Sequence, residues 1–322
     1  MTPSNSLHPV SGSTHLDSTA QLMDHITSRL GTQLRLVTPD GRRRPAAHPE
    51  PRPDPRPTLV LVTHGSRDPR ALSTVKALAE RVREQRPGLA VRLGHIELNE
   101  PLLADTLSAL DTLSALDTPA AHDRGQAVLV PLLLSRGQHV KRDIPAAAAR
   151  VPGLGTRVAA PLGPHPLLAE ALHARLVEAG WPARPLGVGA RRRHAVVLAA
   201  AGSRDPESAA DTETAAGLLA ERLGVPVVPA YAAPTAACPR TVPQALEALA
   251  ADGRTHTAVA GYFTAPGRFA TQSAAAAPWL AAAPLGPHAA LARLVLHRYD
   301  QARADPAHAA PAPARRHRLT SV

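Results

Sequence analysis

At 322 residues the chain is long enough for two ordinary domains, each with its own core. With 34 prolines and only 2% aromatic residues, the interiors must be built from Val, Leu and Ala, and the single cysteine, Cys238, excludes an internal disulfide framework and a multi-thiolate metal centre. The formal net charge of +10 is spread thinly along the chain, which suits an anionic ligand but does not mark a nucleic-acid partner, and no aromatic-basic interleaving offers a stacking platform for single strands.

The amino terminus lacks a basic segment followed by an apolar stretch, so no secretory signal is read there. No apolar run approaches the roughly 20 residues that span a bilayer, and the sequence therefore reads as a cytoplasmic protein with no membrane partner. Residues 1–57 are read as a weakly ordered extension: Asp17 to Leu30 could form one short helix, but residues 39–57 are dominated by Pro, Arg and His and cannot offset their ordering entropy.

From residue 58 onward, strand and helix signals alternate. Strands are predicted at 58–63, 90–96, 126–134 and 157–160, with helices at 69–86, 101–117, 141–150 and 166–179. Residues 187–193, with the Arg191-Arg192-Arg193 run, read as a linker. Strands then recur near 195–200, 225–231 and 257–263, and helices near 206–223, 241–251, 267–280 and 289–302. Continuous apolar strands separated by helices predict an α/β fold with parallel sheets covered on both faces. The boundaries drawn are 58–186 and 194–303 for two similar domains, with 304–322 a disordered tail.

The two halves are a duplication. Leu59-Val60-Leu61-Val62-Thr63-His64-Gly65-Ser66-Arg67-Asp68-Pro69 returns as Val196-Val197-Leu198-Ala199-Ala200-Ala201-Gly202-Ser203-Arg204-Asp205-Pro206, and Pro161-Leu162-Gly163-Pro164-His165 returns as Pro284-Leu285-Gly286-Pro287-His288. Alignment on both anchors sets Ala201 opposite His64 and Phe269 opposite His139. The spacing between the compared positions differs by seven residues, and a tandem hexad, Asp105 to Leu110 followed by Asp111 to Leu116, accounts for six of them. The hexad lengthens a helix or its exit loop.

The duplicate separates scaffold from chemistry. Gly-Ser-Arg-Asp-Pro survives in both copies, as expected of a turn whose Asp caps the next helix. His64 and His139 survive in one only. Both follow predicted strands, at the carboxyl ends where open α/β sheets hold ligands, and a neutral imidazole there can ligate a divalent metal or accept a proton. Glu97 is a possible third metal ligand, weighed evenly against no site role; Glu100 fits helix-start electrostatics better. His165, repeated as His288, reads as structural but could still face the cleft. Ser66 lacks the Gly-x-Ser-x-Gly elbow of a hydrolase, and its twin Ser203 points to turn duty. Arg67, Arg136, Lys141 and Arg142 could pair with carboxylates of an acidic ligand. Dinucleotide and phosphate-loop patterns are absent.

The His64 motif, Leu-Leu-Leu-Ser-Arg-Gly-Gln-His139-Val-Lys-Arg-Asp143-Ile-Pro145, Glu97-Leu-Asn-Glu100-Pro101 and Pro-Leu-Gly-Pro-His165 together resemble the sirohydrochlorin chelatase family, in order and spacing across residues 58–180. The degenerate copy resembles the second half of its long, duplicated members. The resemblance implies two similar Rossmann-like, chelatase-type domains facing each other across a cleft. It implies insertion of Fe2+ or Co2+ into sirohydrochlorin for sirohaem or cobalamin synthesis, without nucleotide or prosthetic group. His64 and His139 would bind metal and accept protons, with Arg204 and Arg268 of the second half joining the first-half cations on substrate carboxylates. A monomer with two pseudo-equivalent domains is expected, its partners being sirohydrochlorin and the divalent ion. The other readings carried are a non-catalytic tetrapyrrole or metal carrier on this scaffold, and a hydrolase using Ser66.

Overall fold

Two parallel sheets of four strands each organise the molecule, and the same strand order occurs twice. A computed structural model describes residues 56–117 and 125–305. The expectations for residues 1–55 and 306–322 lie outside the described residues.

The first sheet contains β1 (Thr58–Thr63), β2 (Val91–His95), β3 (Gln126–Pro131) and β4 (Gly155–Val158), in the order β2-β1-β3-β4. The second contains β5 (His194–Ala200), β6 (Val227–Tyr231), β7 (His256–Gly261) and β8 (Leu280–Ala282), in the order β6-β5-β7-β8. All pairings are parallel, with Leu59 opposite Val91 and Val128. The central strands are buried almost throughout, as a sheet covered on both faces requires. In each sheet the order reverses beside the first strand, so a crevice opens at the carboxyl ends of β1 and β3, and again of β5 and β7.

In chain order the helices are α1 (Pro69–Gln85), α2 (Leu103–Asp117), a π-helical turn (His139–Asp143) running into α3 (Ile144–Ala149), α4 (Pro166–Glu178), α5 (Val188–Arg193), α6 (Pro206–Leu223), α7 (Val242–Ala251), α8 (Arg268–Ala275) and α9 (Ala289–Ala304). Both hexads fall within α2. Six residues advance a helix by about 600°, so the second hexad presents a different face. Leu107 is accordingly buried, whereas its counterpart Leu113 is only partly buried.

The final helix of each half is exchanged. α4 packs on β7 and β8 and on α6, whereas α9 packs on β3 and β4 and against α1 and α4. One apolar core therefore runs through both halves, joining Leu59, Leu61 and Val130 to Leu198, Leu291 and Tyr299. Polar contacts secure the exchange. Arg86 makes a bidentate pair with Asp300 at 2.6 and 2.7 Å, and the Tyr299 hydroxyl donates to the Pro57 carbonyl. The Arg175 guanidinium in turn donates to the Leu285 carbonyl.

Two local expectations change. The helix predicted over 267–280 ends at Ala275, because Pro278 disfavours helix before it, and Leu280–Ala282 instead adds β8 to the edge of β7. Alanine-rich composition hid a strand that pairing supplies. Within 187–193, Val188–Arg193 forms the short helix α5, held by an Arg254 donation to the Arg191 carbonyl.

Candidate functional site

The Asp68 carboxylate accepts the Arg70 N–H at the start of α1, and Asp205 does the same for Glu207 at the start of α6. Ser66 and Ser203 each accept the N–H of the aspartate two residues on. These are turn duties, repeated in both copies. Gly65 and Gly202 are required by sterics as well as by their φ near +100°: a Cβ on Gly65 would lie 1.8 Å from the Glu97 carbonyl oxygen, and one on Gly202 2.1 Å from that of Ala233. The preserved motif is the turn that lets two strand ends close together.

His64 stands at the end of β1, and His139 opens the π-helical turn after β3 rather than lying in a loop. Their ring centroids are 4.7 Å apart. The Asp143 carboxylate lies 2.6 Å from His139 Nδ1, one helical turn on. A proton on Nδ1 donated to that carboxylate leaves Nε2 as a lone-pair donor, the orientation expected of a metal-handling histidine. Glu97 lies 3.2 Å from His64 Nε2. Burial, then the neighbouring His139, hold the His64 imidazole below its ordinary pKa, and Glu97 opposes them. Among the described residues, no three His, Cys, Asp or Glu side chains gather around one point as a metal cage.

The two histidines face a cleft of about 1180 Å³ lined by both halves, somewhat larger than the roughly 300–1,000 Å³ of ordinary small-molecule sites. Its opposite wall is the mirror of the first with the chemistry removed: Ala201, Phe263, Ala265, Pro266 and Phe269. Arg268 stacks over the Phe269 ring at 4.8 Å.

The basic residues divide into two groups. Arg136 and Lys141 are turned onto carboxylates of the second half: Arg136 onto Asp211 and Glu207, Lys141 onto Asp205 and Glu207. Their charges are already answered within the protein. Arg67 and Arg204 are exposed, with Arg204 on the cleft and Arg67 and Arg268 around an adjoining hollow at its mouth. Arg142 also lines the cleft. His165 and His288 cap α4 and α9, each accepting a backbone N–H through Nδ1 at 3.1 Å, and neither lines the cleft. Glu100 accepts from the Leu102 N–H at the approach to α2, a helix-start role.

Two further residues take their place in the site through the fold. Asp143 is visible in sequence as the fourth residue after His139, a spacing that brings helix side chains together. His95 has no such signal. It is 2% exposed, its Nδ1 lies 2.6 Å from the Thr63 hydroxyl, and its buried Nε2 has no hydrogen-bond partner among the described residues. The register that sets it beside Thr63 places Tyr231 beside Ala200 in the other half, so this third imidazole is also missing from the copy.

Duplicated parallel α/β halves, closing on a histidine pair at one switch point, define the class. The CbiX family model matches residues 58–179 and again 195–302, and the chain belongs to that family. It is 34% identical over 87 residues to a sirohydrochlorin cobaltochelatase of Methanococcus aeolicus, covering 27% of this chain and 54% of the relative. It is 29% identical over 122 residues to the chloroplastic sirohydrochlorin ferrochelatase of Arabidopsis thaliana, covering 37% of this chain and 50% of the relative. The chain thus spans about half the length of these curated relatives. In fold it resembles SirB from Bacillus subtilis with Fe3+, at a TM-score of 0.61 and 24% identity over 77% of this chain and 96% of that one.

Proposed function

We propose that the chain is a sirohydrochlorin chelatase, a lyase that inserts Fe2+ or Co2+ into sirohydrochlorin without ATP for sirohaem or cobalamin synthesis. The observation that carries the reading is the His64–His139 pair, 4.7 Å apart on one wall of the cleft and replaced by Ala201 and Phe269 on the other. Membership of the CbiX family and the relatives named above support it.

Insertion forms metal–nitrogen bonds and releases two pyrrole protons, so the protein must hold the incoming ion briefly and accept protons. Two imidazoles bind a divalent ion less tenaciously than a cage of carboxylates or thiolates would, which lets the macrocycle take it. His64, kept neutral by its surroundings, serves as metal donor and proton acceptor. His139 presents Nε2 because Asp143 occupies Nδ1. Glu97 bonds to His64 and orients it or receives its proton. The apolar wall of Ala201, Phe263 and Phe269 accommodates a macrocycle face, while Arg67, Arg204 and Arg268 meet its carboxylates at the rim. The chain works as a cytoplasmic monomer, with its two halves forming one site.

Steady-state insertion of Co2+ or Fe2+ into sirohydrochlorin, followed by absorbance, tests the assignment. Multiple turnovers are expected, and His64→Ala or His139→Ala should lower kcat by about 100-fold or more. Stoichiometric binding without turnover, or full rates in both variants, would sink it. Competition between the two ions in one assay assigns the metal.

A further inference from the structure

The second half is more than a decayed copy. The first residues of α1 and α6 correspond through the shared Gly-Ser-Arg-Asp-Pro motif, which places Glu207, Ser208 and Asp211 opposite Arg70, Ala71 and Thr74. All three departures reach the loop between β3 and His139. The Ser208 hydroxyl lies 2.7 Å from that of Ser135. Asp211 is 3% exposed and accepts the Arg136 backbone N–H at 2.8 Å. It also accepts the Arg136 guanidinium, at distances down to 2.6 Å. Glu207 approaches the same guanidinium at 3.4 Å and Lys141 at 2.9 Å. Tyr262 and Thr264 donate to the Leu134 and Leu132 carbonyls of the same loop.

The reciprocal contact has been dismantled on both sides. In the repeat, Ser135 and Arg136 correspond to Ala265 and Pro266, and the positions of α1 that match Ser208 and Asp211 carry Ala71 and Thr74. Pro266 also lacks the backbone N–H that Arg136 gives to Asp211. A buried carboxylate is costly unless its hydrogen bonds are satisfied, so Asp211 holds its partner in one arrangement. That partner lies three residues before His139.

We propose that Asp211, assisted by Ser208 and Glu207, is a positioning residue: the histidine-free half fixes the loop that presents His139 to His64. Arg136 is then a strut for this loop and not a substrate contact. The kinetic arm of the test rests on the chelatase reading; the structural arm does not.

The test compares the full chain with Asp211→Ala, Asp211→Asn, Arg136→Ala and the Asp211→Ala/Arg136→Ala double variant. Amide hydrogen exchange over residues 132–143 should accelerate by about tenfold or more in Asp211→Ala. With sirohydrochlorin and Co2+, kcat should fall about tenfold or more while the tetrapyrrole KM moves less than about twofold. The double variant should be no worse than the worse single one, because both remove the same link. Asp211→Asn keeps an oxygen for the Arg136 N–H and should recover part of both losses. Unchanged exchange and kcat in a folded Asp211→Ala, or additive losses with a raised KM in Arg136→Ala, would overturn the proposal. Should Asp211→Ala not fold, Ser208→Ala and the exposed Glu207→Gln carry the same test, with expected losses of about two- to threefold. A wild-type chain without insertion activity would remove the chelatase reading, while exchange would still decide the loop's support.

Discussion

His139 illustrates how a single side chain acquires a chemical state. Its ring is a metal-ligand candidate only if one nitrogen keeps a lone pair, and the Asp143 carboxylate at 2.6 Å assigns the Nδ1 proton and leaves Nε2 available. Asp143→Asn preserves shape but removes the charge that favours this tautomer. The expected result is about a 10- to 100-fold loss in metal affinity or insertion rate, with the thermal midpoint little changed, measured by metal titration and melting in parallel. The histidine itself was legible from the damaged repeat. Its orientation depended on the π-helical turn, which brings Asp143 back to it.

At the scale of elements, the two retained histidines become helix caps. His165 and His288 accept N–H groups at the starts of α4 and α9, and burial holds both imidazoles below their ordinary pKa. The acceptor must be neutral, so protonation breaks the cap. In the unfolded chain each histidine protonates near its ordinary pKa, about 6.5, while the folded form resists to lower pH. Below that value the unfolded state binds more protons, and stability falls as pH drops until the folded pKa is passed. Denaturant midpoints between pH 8 and 5 should therefore decline on the acid side. The double variant His165→Asn/His288→Asn, with non-titrating caps, should show a shallower decline. An identical slope in both proteins would assign the effect to other groups.

At the scale of the whole molecule, the exchange of α4 and α9 makes the halves interdependent. α9 buries Leu291, Leu294, Val295, Leu296 and Tyr299 largely against the first half. At about 1.5–3 kcal/mol for each large side chain, their burial rivals the 5–15 kcal/mol that holds a typical protein folded. Chains cut within 187–193 should therefore show no cooperative unfolding as isolated monomers, and mixing them should restore it. Circular dichroism melts with size-exclusion chromatography check this; an isolated first half that melts cooperatively as a monomer contradicts it. The duplication suggests two domains with a core each; one apolar cluster spans both halves, and a further cluster lies within each, around Val62 and Leu129 in the first and around Val197 and Val259 in the second.

The sequence alone determined what local chemistry and repetition can express. Apolar runs of strand length, separated by helical patterns, specified parallel sheets. The Gly-Ser-Arg-Asp-Pro turn announced itself by surviving twice, and the histidine pair by surviving once. Tertiary structure decided whatever depends on groups distant in sequence. β8 exists because β7 offers an edge, although the sequence pattern carries a helix up to Leu280 and marks no strand there. His95 matters because strand register sets it beside Thr63. Arg136 and Lys141 read in sequence as cations that could pair with an acidic ligand, and the fold sets the Asp211 and Asp205 carboxylates against them. A charge in sequence has no partner written beside it; only folding brings the partner within hydrogen-bonding distance.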